Sequence, residues 1–217
     1  MAQQPQDNDN DSKMSEAAQP TKTNPNRLMV DDISEVTKQD GDNSCIYLSP
    51  AKMSELCLFR GDTIVIKGKK RRSTVCIALS NEQTADGKIR MNACIRKNLC
   101  VKLGDVVSIN MCGDIKYGKQ VYVLPFEDTI QGINGSIFDL YLRPYFQDSY
   151  RPIKVGDYFT VHAAFRSVEF KVVEIEVEHE PNAEVCIVAP ETVIFCEGDA
   201  IKREEEEAER SMVGYDD

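Results

Sequence analysis

Apolar residues along this chain gather in short runs rich in Val, Ile and Leu, bounded by polar turns. Runs of that length and composition predict strands. In the first half they are Leu28–Val30, Cys45–Leu48, Thr63–Ile66, Thr74–Leu79 and Val106–Met111. Residues 37–44 are a polar connection. Ser49 followed by Pro50 predicts a short helix to Leu56, with Ser49 as N-cap and Pro50 at the first position. Arg90-Met91-Asn92 leads toward a second helical turn. In the second half, Lys119–Leu124 opens a region that continues through Phe138–Leu142 and a Pro-marked helical turn from Pro144 to Tyr150. Strands follow at Tyr158–Ala163, Val168–Val177, Cys186–Val188 and Val193–Phe195, with a polar hairpin loop at 178–184.

Three of these runs open on one phrase. Arg60-Gly61-Asp62 precedes Thr63–Ile66, Leu103-Gly104-Asp105 precedes Val106–Ile109, and Val155-Gly156-Asp157 precedes Tyr158–Val161. Gly takes φ > 0 without steric cost, and an Asp carboxylate accepts hydrogen bonds from turn amides, so each phrase is a sharp turn feeding a strand. A chain that repeatedly folds back as short strands is all-β with short helices. Small barrels are the economical way to remove its exposed edges.

Composition divides the chain. Residues 1–26 are rich in Gln, Asn, Asp, Ser and Pro and predict a disordered tail. Residues 202–210 are a charged run that reads as linker rather than core. About 175 residues remain, enough for two compact units of about 85–90 each. The expected division is 27–113, 114–200 and an acidic linker over 201–217. The formal net charge of −10 is partly in the tails: 1–26 carry −2 and 202–217 carry −4, leaving −4 for the rest. That balance does not favour general binding to nucleic acid or anionic membrane. No apolar stretch approaches the ~18 residues needed to span a bilayer, and no signal peptide is expected.

Several motifs are better explained as turns. The eight cysteines lack C-x-x-C spacing and read as small apolar side chains in a reducing compartment. His162 and His179 stand 17 residues apart, so no metal site is expected. Gly113–Gln120 imitates a phosphate loop, but Gln120 has no hydroxyl for Mg²⁺ and Val121-Tyr122-Val123 favours strand where a helix is needed. Lys67–Arg72 places five positive charges in six residues. It reads as a solvated turn, with a nucleic-acid patch as the alternative. Arg60-Gly61-Asp62 and the sequon Asn134-Gly135-Ser136 read as turns. Neither histidine flanks a nucleophile, and catalysis is not expected.

Longer strings carry a resemblance. Leu58-Phe59-Arg60-Gly61-Asp62, Lys67–Arg72, Lys88–Asn92, Asp114–Lys119, Leu142–Phe146, Tyr150-Arg151-Pro152, Val168–Val173 and Cys186–Pro190 resemble the amino-terminal domain of the valosin-containing-protein family of hexameric AAA ATPases. The resemblance runs in order over about residues 24–217. It implies a double-psi β-barrel followed by a small four-stranded β-barrel. Val213–Asp217 resembles the entry to a first ATPase module, so the chain reads as a fragment that holds no cofactor, of a parent using ATP and Mg. Residues 1–23 and the lengthened 37–44 loop inherit nothing.

Near the junction of the two units, Phe59, Ile77, Leu79, Tyr117 and Tyr150 supply apolar walls, and Asp42, Arg60 and Lys116 supply charge. Aromatic and Arg side chains suit interface hot spots, and a cleft between units is a usual binding place. The residues alone leave open that they merely seal the units together. The resemblance implies that these positions, with Cys45, line a groove for ubiquitin-like adaptor domains and short Arg-rich motifs. Through such adaptors, ubiquitylated clients would reach the homohexameric parent. It also implies that His162 and Arg166 face the ATPase ring, that the isolated chain is monomeric without nucleic-acid binding or membrane insertion, and that the protein works in the cytoplasm, in the nucleus and at the cytosolic face of the endoplasmic reticulum.

Overall fold

The computed structural model describes residues 24–33, 41–163 and 166–213. Residues 1–23 of the expected disordered tail and residues 37–40 of the polar loop lie outside these. Strands are β1 Arg27–Asp32, β2 Cys45–Leu48, β3 Thr63–Lys67, β4 Ser73–Ser80, β5 Lys88–Met91, β6 Val106–Met111, β7 Gly118–Pro125, β8 Arg151–Lys154, β9 Tyr158–Ala163, β10 Arg166–Val177, β11 Val185–Val188 and β12 Val193–Phe195. Helices are α1 Pro50–Glu55, α2 Ala93–Asn98, α3 Glu127–Ile130, α4 Arg143–Phe146 and α5 Arg203–Val213, with a π-helical turn at Phe138–Leu142.

The first six strands close into a barrel of order β1-β5-β2-β4-β3-β6. Pairs β1–β5 and β2–β4 are parallel and the other four antiparallel, as a double-psi β-barrel requires. Alternation along each strand sends Leu28, Ile46, Ile64, Ala78, Ile89 and Ile109 inward, all at 1% exposure or less. Helix α1 starts as its sequence predicts: the Ser49 hydroxyl accepts from Lys52 N at 3.0 Å, and Pro50 occupies the first position. The second unit is a four-stranded sheet β12-β7-β10-β9 joined to a two-stranded ribbon of β8 and β11. Its core stacks Tyr145 on Phe159 and Phe159 on Phe170. Strand β8 has no counterpart in the sequence reading because Pro152 argues against a strand. It is tolerated because β8 pairs only with β11.

The three Gly-Asp turns share one hydrogen-bond pattern. Each Gly N–H donates to the carbonyl of a distant strand residue, and that residue's N–H donates back to the Asp carbonyl. The partners are Ala78 (2.9 and 2.8 Å), Val30 (2.9 and 2.8 Å) and Val172 (2.8 and 2.9 Å) for the first, second and third turns. All three Gly have φ between 85° and 98°. In the first two turns the Asp carboxylate accepts from its own loop, Phe59 N and Lys102 N, each at 2.8 Å. In the third, Asp157 instead accepts from the Thr74 hydroxyl of the barrel.

Asp157 is thus part of a polar seam between the units. Lys154 Nζ donates to Ser73 Oγ at 2.8 Å. Asn98 donates to Tyr158 O at 2.9 Å and accepts from Tyr158 N at 2.7 Å. Asn43 donates to Thr160 O at 2.8 Å.

The charged run at 202–210 is not an irregular linker. Arg203, Glu206 and Arg210 fall on one face of α5, and each meets the body of the protein. Arg203 forks onto Asp128 at 2.8 and 3.1 Å and reaches Glu169 at 2.8 Å. Glu206 is buried, accepting from Lys171 at 2.6 and 2.8 Å and from Tyr158 Oη at 2.5 Å. Arg210 covers the Tyr158 ring at 4.3 Å. Glu204, Glu205 and Glu206 also lie at the favourable end of the helix dipole. Burial alone would raise the Glu206 carboxyl, but the Lys171 and Tyr158 hydrogen bonds hold it below the ordinary glutamate value.

Two predictions follow from these contacts. Glu206→Ala strands the part-buried Lys171 ammonium and the buried Tyr158 phenol, at a cost of about 2 kcal/mol. Amide exchange over 203–213 should accelerate roughly 30-fold while barrel amides stay unchanged; equal exchange would remove Glu206 as the anchor. Burial pushes the Asp157 carboxyl up to about 7, against the Thr74 hydroxyl and the charges of Lys154, Arg210 and Arg72. Its folded value lies above the unfolded one, so its contribution is full below pH ~4 and is lost as pH rises through ~7. Asp157→Asn should therefore gain stability relative to the parent across that interval, by up to a few kcal/mol in chemical unfolding. A pH-independent difference would refute the assignment.

Candidate functional site: the junction groove

Strand alternation builds one wall of the groove. With Ile46 and Leu48 inward, β2 turns Cys45 and Tyr47 outward; with Cys76 and Ala78 inward, β4 turns Ile77 and Leu79 outward. The parallel register sets Cys45 beside Ile77 and Tyr47 beside Leu79. These four side chains form a continuous, partly exposed stripe. The first Gly-Asp turn hangs on Ala78, so Phe59 and Arg60 stand at one end of that stripe. Phe59 is 76% exposed.

The second unit supplies the opposite lip. Tyr117 and Tyr150 are 62% and 55% exposed, with ring centroids 5.9 Å apart and planes inclined at 48°. Tyr117 is fixed by the parallel bridge to Ile187, and Tyr150 by its neighbour Arg151. Arg151 reaches across the seam: its Nη1 donates to both Asp42 oxygens at 2.8 and 2.9 Å and to Ser44 Oγ at 3.3 Å. Its Nε donates to Tyr145 O at 2.9 Å, and the guanidinium lies 4.0 Å from the Tyr145 ring centroid. Arg151, the neighbour of Tyr150, is thereby anchored to the Asp42–Ser44 segment that leads into Cys45.

Electrostatics around the stripe favour neutral side chains. Burial, then the Asp42 charge, push the Cys45 thiol up to about 11, with Arg151 acting the other way. That thiol is no thiolate nucleophile at neutral pH. Burial also raises the Tyr47 phenol, while the positive charge of Arg60 opposes the rise.

The structure places Cys45, Ile77 and Leu79 together on the barrel wall, Phe59 and Arg60 on the turn that hangs on Ala78, and Tyr117 beside Tyr150 on the second unit. Asp42 is present but engaged, since Arg151 already holds its carboxylate. Lys116 pairs with Glu180 of its own unit at 2.8 Å. His162 and Arg166 lie apart, at the end of the β9–β10 hairpin. His162 Nδ1 shares a 2.6 Å hydrogen bond with Ser167 Oγ, and its ring borders a hollow of about 290 Å³ that also includes Asp42, Tyr145 and Arg151. Sequence reasoning missed Tyr47 and Arg151. Alternation on β2 was the available signal for Tyr47; for Arg151 there was none, because the Asp42 and Ser44 groups it reaches across the seam are more than a hundred residues away.

The remaining motifs resolve as local structure. The phosphate-loop imitation runs directly into β7, whose amides pair with β10. The basic turn is a two-residue hairpin with Lys70 and Arg71 at φ 50° and 54°, tied down by Lys69 N to Leu99 O at 3.0 Å and by the Lys69–Asp105 ion pair at 2.7 Å. Among the described residues, no cluster of His, Cys, Asp or Glu suits a metal ion, and no helix is long and apolar enough to cross a membrane.

Two family models match this chain. The N-terminal domain of cell division protein 48 matches residues 27–114, the closed barrel. Domain 2 of the same family matches residues 132–206, which include most of the second unit and the start of α5. The two matches fall in tandem on the six-stranded barrel and on the β-rich second unit, and the chain belongs to the family of valosin-containing protein and cell division protein 48, of which it carries the N-terminal region.

Proposed function

We propose that this chain recruits adaptor proteins to a hexameric AAA ATPase that unfolds and extracts ubiquitylated clients, and that the junction groove is the docking site. The family's N-terminal domains are parts of AAA ATPases, and the two matched domains are non-catalytic. One observation carries the reading: three large aromatic side chains, Phe59, Tyr117 and Tyr150, stand in solvent around a half-exposed apolar stripe. Leaving that much apolar surface in water is unfavourable unless a partner covers it. Ubiquitin-like adaptor domains would press an apolar loop between Phe59, Ile77 and Leu79. A short Arg-rich motif would lay a guanidinium on Tyr117 or Tyr150, a cation–π contact. With Asp42 engaged by Arg151, an incoming Arg would have to displace that pair or use the tyrosines alone. His162 and Arg166 would face the ATPase ring. The setting would be the cytoplasm, the nucleus and the cytosolic face of the endoplasmic reticulum.

Adaptor affinity measured on three folded variants tests this. Tyr117→Ala should cost about 2 kcal/mol, roughly 30-fold in Kd. Ile77→Asp places an unpaired carboxylate in a desolvated wall and should cost at least as much. Lys69→Ala, on the exposed hairpin, should change affinity by less than ~1 kcal/mol. Damage from the Lys69 change together with silent groove changes would put the binding surface elsewhere.

A further inference from the structure

Away from the junction, a trough of about 500 Å³ lies between α5 and the face of β7 and β10. Its floor is apolar, formed by Leu124, Val155, Val173 and Ile201. Val173 is 42% exposed there. It sits at the register shift between Val172 and Glu174 in the β10–β7 pairing, where a bulge re-aims a side chain out of regular alternation.

The rim is acidic. Asp199, Glu205 and Glu209 are exposed around the opening, whereas Glu206 is consumed by Lys171 and Tyr158 at the inner wall. A single lysine at the rim, Lys202, bonds Glu205 at 3.2 Å and feels Glu127 and Asp199 as well. Glu205 and Glu209 are four residues apart on one face of α5, an arrangement that repels without a cation between them. Among the described residues, neither Asp199 nor Glu209 has an ion-pair partner.

An apolar floor with uncompensated carboxylates on its lip suits a ligand of the opposite pattern. We propose that this trough docks a short linear segment of a partner protein in which bulky aliphatic side chains alternate with arginine or lysine. The aliphatic groups would cover Val173 and Val155, and the cations would neutralise Asp199 and Glu209. The volume fits two or three side chains rather than a domain. This surface is separate from the junction groove and independent of it.

The test is fluorescence anisotropy on the whole chain with three labelled, capped peptides: Arg-Leu-Arg-Leu-Arg, Arg-Ser-Arg-Ser-Arg and Glu-Leu-Glu-Leu-Glu. Saturable binding is expected for the first alone, weakening as salt rises. The double change Asp199→Asn, Glu209→Gln should weaken it on the order of tenfold. Val173→Arg, which plants a resident cation on the floor, should abolish it, and Tyr117→Ala should leave it unchanged. Absence of saturable binding would overturn the proposal. So would equal binding of the Ser peptide, which would mean attraction to acidic charge alone, or loss on Tyr117→Ala, which would assign the peptide to the junction groove. A concentration-dependent dimer of the chain that Val173→Arg dissolves would give the trough to a second copy instead, and also overturn it.

Discussion

Each Gly-Asp turn makes two backbone hydrogen bonds with one residue of a remote strand, and that reciprocal clamp is what the rest of the architecture hangs on. A turn that only reversed the chain would leave its amide and carbonyl to water. Here the Gly amide and the Asp carbonyl are both spent on Ala78, Val30 or Val172, so the turn fixes where the next strand begins relative to one far away in sequence. Buried backbone groups must be paired, and a slip of one residue would break two bonds and invert the strand's faces. Any side chain at the Gly would meet strain, since φ is positive in all three turns.

The third turn diverges in a way that joins the two units. Once the Asp157 carboxylate bonds Thr74 instead of its own loop, a local capping device becomes part of the seam. The other seam contacts are also polar and directional: paired amides from Asn98, Asn43 on Thr160, and the Arg151 fork on Asp42. Apolar burial alone would hold the units together without fixing their angle, because it is non-directional. Hydrogen bonds fix the angle, so Tyr117 and Tyr150 hold a set position relative to the barrel, and a rigid surface lowers the ordering cost of a partner.

Helix α5 shows how charge can serve as core. Its exposed residues are Glu204, Glu205, Glu207 and Glu209 with Ala208, Ser211 and Met212, the composition of a solvated segment. Burial of Glu206 is tolerated because Lys171 and the Tyr158 hydroxyl satisfy its oxygens, and Arg203 is matched by Asp128 and Glu169. Lone buried charges would be prohibitive, whereas paired and hydrogen-bonded ones are not.

By itself, the sequence determined whatever depends on near neighbours. Strands followed from short Val/Ile-rich runs, the start of α1 from Ser49 and Pro50, and the turns from Gly-Asp, because these are set by φ/ψ preference and by bonds within a few residues. The strings of residues that resemble the family extended that reading to the barrel type. Only the tertiary structure decided the fate of charged and polar side chains. Asp42 looked available until Arg151 crossed from the other unit, 109 positions away. Residues 203–213 read as linker until Lys171, Tyr158 and Asp128 supplied partners. Strand β8 was hidden by a proline that only an edge position tolerates. In each case the deciding group is remote in sequence, and a charge with no visible partner reads as solvated until the fold brings one to it.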